Sequence, residues 1–239
     1  MRFRSSLGGA GLLVAAALLA LPLVAAACGG GSDGEGADSE LRQMLQRMVL
    51  RVEDVPQGMQ RASAFFTTNE EVAEAQADPQ AELAKLERWG RRLGYDVTFA
   101  PGPEAPTEEP VRQVQNTVSL YDGADGASES FAEGVAVARG TDWSTVHRDL
   151  VNLEVQEMEA PAVGDEVLWV RVSGLRGEGG PLVVDDEIIL RVGPVCSFLR
   201  VVSLLEEGAG ADVPVEEVEG WLRLVGQRVA DALQGGDAP

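Results

Sequence analysis

Residues 164–205, GDEVLWVRVSGLRGEGGPLVVDDEIILRVGPVCSFLRVVSLL, hold three apolar runs divided by only two glycine-bearing breaks. Runs rich in Val, Ile and Leu read as strands, and breaks this short join neighbours antiparallel, because a parallel crossover needs a dozen or more residues. The spacing predicts strands over 166–173, 183–192 and 195–205, with hairpin connections at 177–181 and at RVGPV. Another strand, 150–158, leads into them. A sheet of this kind must cover at least one apolar face, so the rest of the chain is read for what can cover it.

Helical text lies before and after that block. Leu41, Leu45, Met48 and Val49 share one face of a helix expected from Ser39 to Arg51, with Ser39 as its cap. In TTNEEVAEAQADPQAELAKLERWGRRLGY, Thr68 with Glu71 forms a capping box and Asp78 precedes Pro79, so two helices abut. The second carries Leu83, Leu86, Trp89 and Leu93 on one stripe and is expected to end at Gly94. Strands are expected at 95–100 and 111–121, and a helix after DGADG turns Ala127, Phe131 and Val135 inward. VPVEEVEGWLRLVGQRVADAL closes the chain as an amphipathic helix with Val218, Trp221, Leu222, Val225 and Val229 apolar. The fold class is therefore α+β: an antiparallel β-sheet packed with N-terminal, middle and C-terminal helices, as a single domain over 39–234. A short disordered tail is expected over 235–239.

The first 27 residues read as an export signal. Arg2 and Arg4 precede an apolar stretch over 7–24, and small residues Ala25, Ala26 and Ala27 lead into Cys28. That ending resembles the lipobox of bacterial lipoproteins, with alanine at position 25 where leucine is usual. The resemblance implies cleavage before Cys28, whose sulfur carries a diacylglyceryl group. It also implies palmitate-type acylation and a protein held on the cell membrane, facing outside the cytoplasm. An ordinary cleaved secretory signal and a retained anchor helix are the other two readings. Residues 28–38, Gly, Ser and acid without a large apolar side chain, are expected to form a flexible tether. Two or three acyl chains hold a protein where one lets it go, since each buried methylene adds roughly 0.8 kcal/mol.

The globular part weakly resembles envelope lipoproteins and sensor ectodomains of Gram-positive cells, some with the fold of the photosystem extrinsic subunit of PsbP type. DVPQGM, GDEVLWVRV and the closing helix carry that likeness.

Charge narrows the partners. The chain has 19 basic against 39 acidic residues, a net −20, and loss of Arg2 and Arg4 with the signal takes it two units further. Phosphate backbones and anionic headgroups repel such a surface overall, so no nucleic-acid partner is expected. Lys85 is the only lysine, within AELAKLER on a helix and not after a glycine-rich loop, which excludes a Walker-type phosphate loop. No G-x-G-x-x-G follows a strand, and there is no H-E-x-x-H, C-x-x-C or G-x-S-x-G. With one histidine, zinc sites built from several His or Cys side chains cannot form within one subunit.

The remaining candidates are few. His147, in TDWSTVHRDL, has Ser144 and Asp149 nearby, but triad members normally converge from separate elements, so an imidazole beside Trp143 is the expectation. Asp185, Asp186 and Glu187 are placed at a strand start, and Glu206, Glu207, Glu216, Glu217 and Glu219 at a strand end and first helical turn. All are read as solvating or capping acids, without calcium-loop spacing. Trp89, Trp169 and Trp221 are read as core, and any pocket is sought between Trp169 and the helix carrying Trp89. With Cys28 acylated, Cys196 has no partner and is read as a small buried thiol. No catalytic, cofactor or metal residues are assigned; Cys28 is the one modification site. The expected function is a non-enzymatic anchored lipoprotein binding a small or lipid-like ligand or assisting an envelope protein partner. The alternatives are a protein–protein interaction module without a ligand and an extracytoplasmic hydrolase.

Overall fold

A computed structural model describes residues 34–106, 109–205 and 215–235. Among them, seven strands form one antiparallel sheet: β1 (Met59–Thr67), β2 (Arg91–Pro101), β3 (Val111–Tyr121), β4 (Leu150–Glu157), β5 (Glu166–Arg176), β6 (Leu182–Val192) and β7 (Val195–Leu205). Their order is β1-β2-β3-β7-β6-β5-β4. The chain thus makes two meanders. The first runs inward from one edge to β3; the second starts at the far edge with β4 and returns inward to β7. They meet where β3 pairs β7, Val118 opposite Ser197. Both predicted hairpins are present, with β5 pairing β6 and β6 pairing β7.

The expected α+β class is present, and the helices cover both faces of the sheet. On one face lie α1 (Gly34–Met48) and α6 (Val215–Gly235). Leu45 and Met48 from α1 and Trp221, Leu222 and Val225 from α6 pack there with Phe99, Val114, Trp169, Ile188 and Leu199. The strict in–out alternation of β7 is what aims Leu199, Val201 and Leu205 at this layer. Fully burying one such side chain stabilises the fold by roughly 1.5–3 kcal/mol. On the other face lie α2 (Asn69–Glu74), α3 (Pro79–Arg88), α4 (Ala124–Gly140) and α5 (Trp143–Val146). Phe131 and Trp143 meet Leu168, Val170, Val172 and Ile189, while Leu86 and Trp89 meet Tyr121 and Ala127.

The predicted caps of the middle helices form as read. Thr68 Oγ1 accepts from the Glu71 amide while Glu71 Oε2 accepts from the Thr68 amide at 2.8 Å. Asp78 Oδ1 accepts from the Ala81 amide at 3.1 Å, with Pro79 in the first turn.

Three helix ends differ from expectation. α1 starts at Gly34, so Ser39 is not its cap and the helix takes in 34–38 of the expected tether. It stops at Met48, short of Arg51, because the Leu50 amide is drawn into a bond to Asn116 Oδ1 of β3 at 3.0 Å. α3 stops at Arg88 instead of reaching Gly94: Gly90, at φ +68°, takes the left-handed position that ends the helix. Leu93 therefore lies on β2. Gly94 serves the strand, since a Cβ there would come within 2.3 Å of the Arg91 guanidinium.

Candidate functional site

Side chains alternate across a strand, so the run Asp185-Asp186-Glu187 divides between the two faces of β6. Asp186 points with Val184 and Ile188 toward α1 and α6. Asp185 and Glu187 point with Ile189 toward α4 and α5. This corrects the expectation of a solvated strand start. The three acids stand in the middle of the strand, with Asp185 and Asp186 buried and the Glu187 side chain only 13% exposed.

Arg200 of β7 faces Glu187 in the register and reaches diagonally to Asp185. Its Nε donates to Asp185 Oδ1 at 3.0 Å and its Nη2 to Oδ2 at 2.6 Å. Glu187 Oε1 stands 3.9 Å from the same Nε, too far for a hydrogen bond. Burial, reinforced by the neighbouring Asp185 charge and opposed by Arg200, pushes the Glu187 carboxyl up to about 7. His147, at the end of α5, closes the group. Its Nε2 lies 3.7 Å from Asp185 Oδ2, and that buried nitrogen has no hydrogen-bond partner. Burial lowers the His147 pKa, with Asp185 pulling the other way. The result is one guanidinium shared by two carboxylates beside a neutral imidazole. Within it burial raises the Glu187 carboxyl, and His147 Nε2 is the buried polar atom left without a hydrogen-bond partner.

Asp186 is different. Trp169 Nε1 donates to its Oδ1 at 2.7 Å, and Arg171 adds a fork at 2.8 and 3.0 Å. Asp96 of β2 is likewise complete, accepting from Gln115 at 2.7 Å and Thr117 at 2.6 Å.

The sequence triad around His147 does not assemble. Ser144 Oγ donates to Asp142 at 2.6 Å, and Asp149 pairs with Arg176. The acid facing the imidazole is Asp185, which no local spacing announces. Trp143 does stack beside it, ring centroids 6.0 Å apart. Trp89, Trp169 and Trp221 are core as read, and each indole N–H is bonded, to Glu129, Asp186 and the Asp54 carbonyl. Trp169 and Trp89 lie on opposite faces of the sheet, so the pocket sought between them does not exist.

Cys196 is the small, largely buried thiol expected. Its Sγ donates to the Ala127 carbonyl at 3.1 Å, and burial pushes the thiol up to about 12. Glu216 and Glu217 occupy the first turn of α6 as read, and Glu219 pairs with Arg223 one turn on. Cys28, Glu206 and Glu207 lie outside the described residues. Among the described residues no cluster of three or more His, Cys, Asp or Glu is arranged to hold a metal ion, and no helix is long and apolar enough to cross a membrane.

No protein-family model matches the sequence, and no curated protein matches it. Among solved structures, the extracellular domain of PknH from Mycobacterium tuberculosis is similar over 80% of this chain and 96% of that one. The identity is 12% and the TM-score 0.49, a likeness that says nothing of what this chain binds.

Proposed function

We propose that this protein is a non-enzymatic, extracytoplasmic lipoprotein, anchored in the cell membrane by acylated Cys28. The observation that carries the reading is the apolar run over 7–24 ending in Ala25-Ala26-Ala27-Cys28 and followed at once by glycine, serine and acid. The acidity of the chain, 39 acidic against 19 basic residues, gives it no electrostatic hold on an anionic membrane, so the acyl chains supply the attachment. Because α1 begins at Gly34, only 28–33 separate the lipid from the first helix, a reach of about 20 Å when extended.

The folded domain then binds a small or lipid-like ligand or assists envelope machinery. The reading as a protein–protein module is favoured by one feature: three of the exposed large apolar side chains, Phe65, Val151 and Val155, stand on the edge strands β1 and β4. Replacement of Cys28 by serine tests the anchor. The expected outcome is loss of labelling by radioactive palmitate and movement from the membrane to the soluble fraction, or accumulation of the unprocessed precursor. Unchanged membrane attachment with normal cleavage would reject lipid anchoring.

A further inference from the structure

We infer that the groove between the end of α1 and the last two turns of α6 binds a phosphate group. Its lining is Arg47, Arg51, Arg228, Asp231, Ala232 and Gly235, around a volume of about 310 Å³. That is the lower end of the size range of small-ligand sites. The inference stands apart from the lipid anchor, since every group it uses belongs to the folded domain.

Three arginines bordering one space run against the field of a chain with 39 acids. Several other arginines are engaged with carboxylates, as Arg171 is with Asp186 and Arg139 with Glu157, and Arg228 itself forks onto Asp54. Among the described residues Arg47 has no hydrogen-bond or ion-pair partner. Arg51 has only Glu53, at 3.8 Å and with both side chains more than half exposed, an arrangement worth little. Arg228 is the fixed member. Two of its nitrogens donate to Asp54 at 2.6 and 2.9 Å and to the Val49 carbonyl at 2.8 Å, which holds its plane in place and leaves Nε–H outside these bonds.

The helix dipole explains one arginine, since Arg47 lies in the last turn of α1. It gives no reason for Arg51, beyond that helix, and Arg228, within α6, to border the same space. A carboxylate is satisfied by a single guanidinium fork. A phosphate has oxygens for two free forks and the Arg228 N–H together. Asp231 supplies an acceptor on the rim for a hydroxyl of a monoanion or an ester.

The test is calorimetric titration of the full chain in a non-ionic detergent with inorganic phosphate. Saturable one-site binding is expected, weakened tenfold or more by Arg47→Gln with Arg51→Gln and unchanged by Arg61→Gln, an exposed arginine outside the groove. Arg47 and Arg51 are exposed, so the double variant keeps its thermal midpoint and folding does not confound the result. Glycerophosphoglycerol, the phosphodiester of an anionic lipid headgroup, separates the sources. Binding of the diester at least as tight as that of phosphate assigns a headgroup; binding of phosphate alone assigns a free phosphate or monoester. No saturable binding of either probe, or equal weakening by Arg61→Gln, overturns the site.

Discussion

The two faces of β6 solve one problem in opposite ways. Toward α1 and α6, Asp186 is fully buried and every demand of its carboxylate is met by Trp169 and a bidentate Arg171. Toward α4 and α5, Asp185 and Glu187 share a single Arg200, and His147 Nε2 reaches neither acid by a hydrogen bond. A complete polar network inside a core fixes geometry, whereas an incomplete one stores cost and answers to pH. The first face therefore serves the fold, and the second is where its stability depends on pH.

The largest effect should come from breaking the complete side. Arg171→Met leaves Asp186 charged, buried and without its counterion, and should cost about 3–5 kcal/mol in denaturant unfolding at neutral pH. Asp186→Asn keeps an acceptor for Trp169 and should cost less. A loss below about 1 kcal/mol for Arg171→Met would mean that Asp186 does not depend on its fork, and the contrast between the faces would fail.

The next effect sharpens the incomplete side. Glu187 in the folded state titrates at about 7, above its ordinary 4.5, so between those values the folded chain holds a proton that the unfolded chain has lost. Stability attributable to this residue is present below pH 4.5 and falls as pH rises through 7. At about 1.4 kcal/mol per unit, the full loss is on the order of 3 kcal/mol. Glu187→Gln should match the parent at pH 4.5 and exceed it by up to that amount at pH 8. A difference between the two that does not vary with pH would show that Glu187 is solvated and ordinary.

The contrast also marks what the sequence could and could not disclose. Strands β5 to β7, the capping box of α2, the Asp78–Pro79 cap of α3 and the apolar stripe of α6 rest on periodicity and spacing within about twenty residues, and all are legible. The meeting of β3 with β7 joins residues some eighty positions apart, and nothing local encodes it. The acid run was misjudged for the same reason. Asp-Asp-Glu looks like solvent-facing text until Arg171 and Arg200, each fifteen residues away, arrive from the neighbouring strands. The imidazole beside Trp143 is legible, but the acid that faces it, Asp185, comes through tertiary folding and no local spacing announces it. The end of α1 was overrun because Asn116, which captures the Leu50 amide, is sixty-six residues distant.

The smallest effect lies at His147 itself, and it decides whether the imidazole belongs to the ionic group or only covers it. Burial outweighs Asp185 and lowers its pKa, so the folded state resists a proton that the unfolded state accepts near 6.5. Its contribution is constant above 6.5 and is lost as pH falls through the window beneath, opposite in sign to that of Glu187. His147→Leu should remove this acid-side loss and, by relieving an unsatisfied buried nitrogen, change stability at pH 7.5 by less than about 1 kcal/mol. As the only histidine in the chain, its ring resonances give an unambiguous NMR titration. A midpoint below 6.5 places a neutral ring over the acids. A midpoint above 6.5 would mean that Asp185 governs the imidazole, closing the 3.7 Å gap on protonation and giving His147 Nε2 the partner it lacks when neutral.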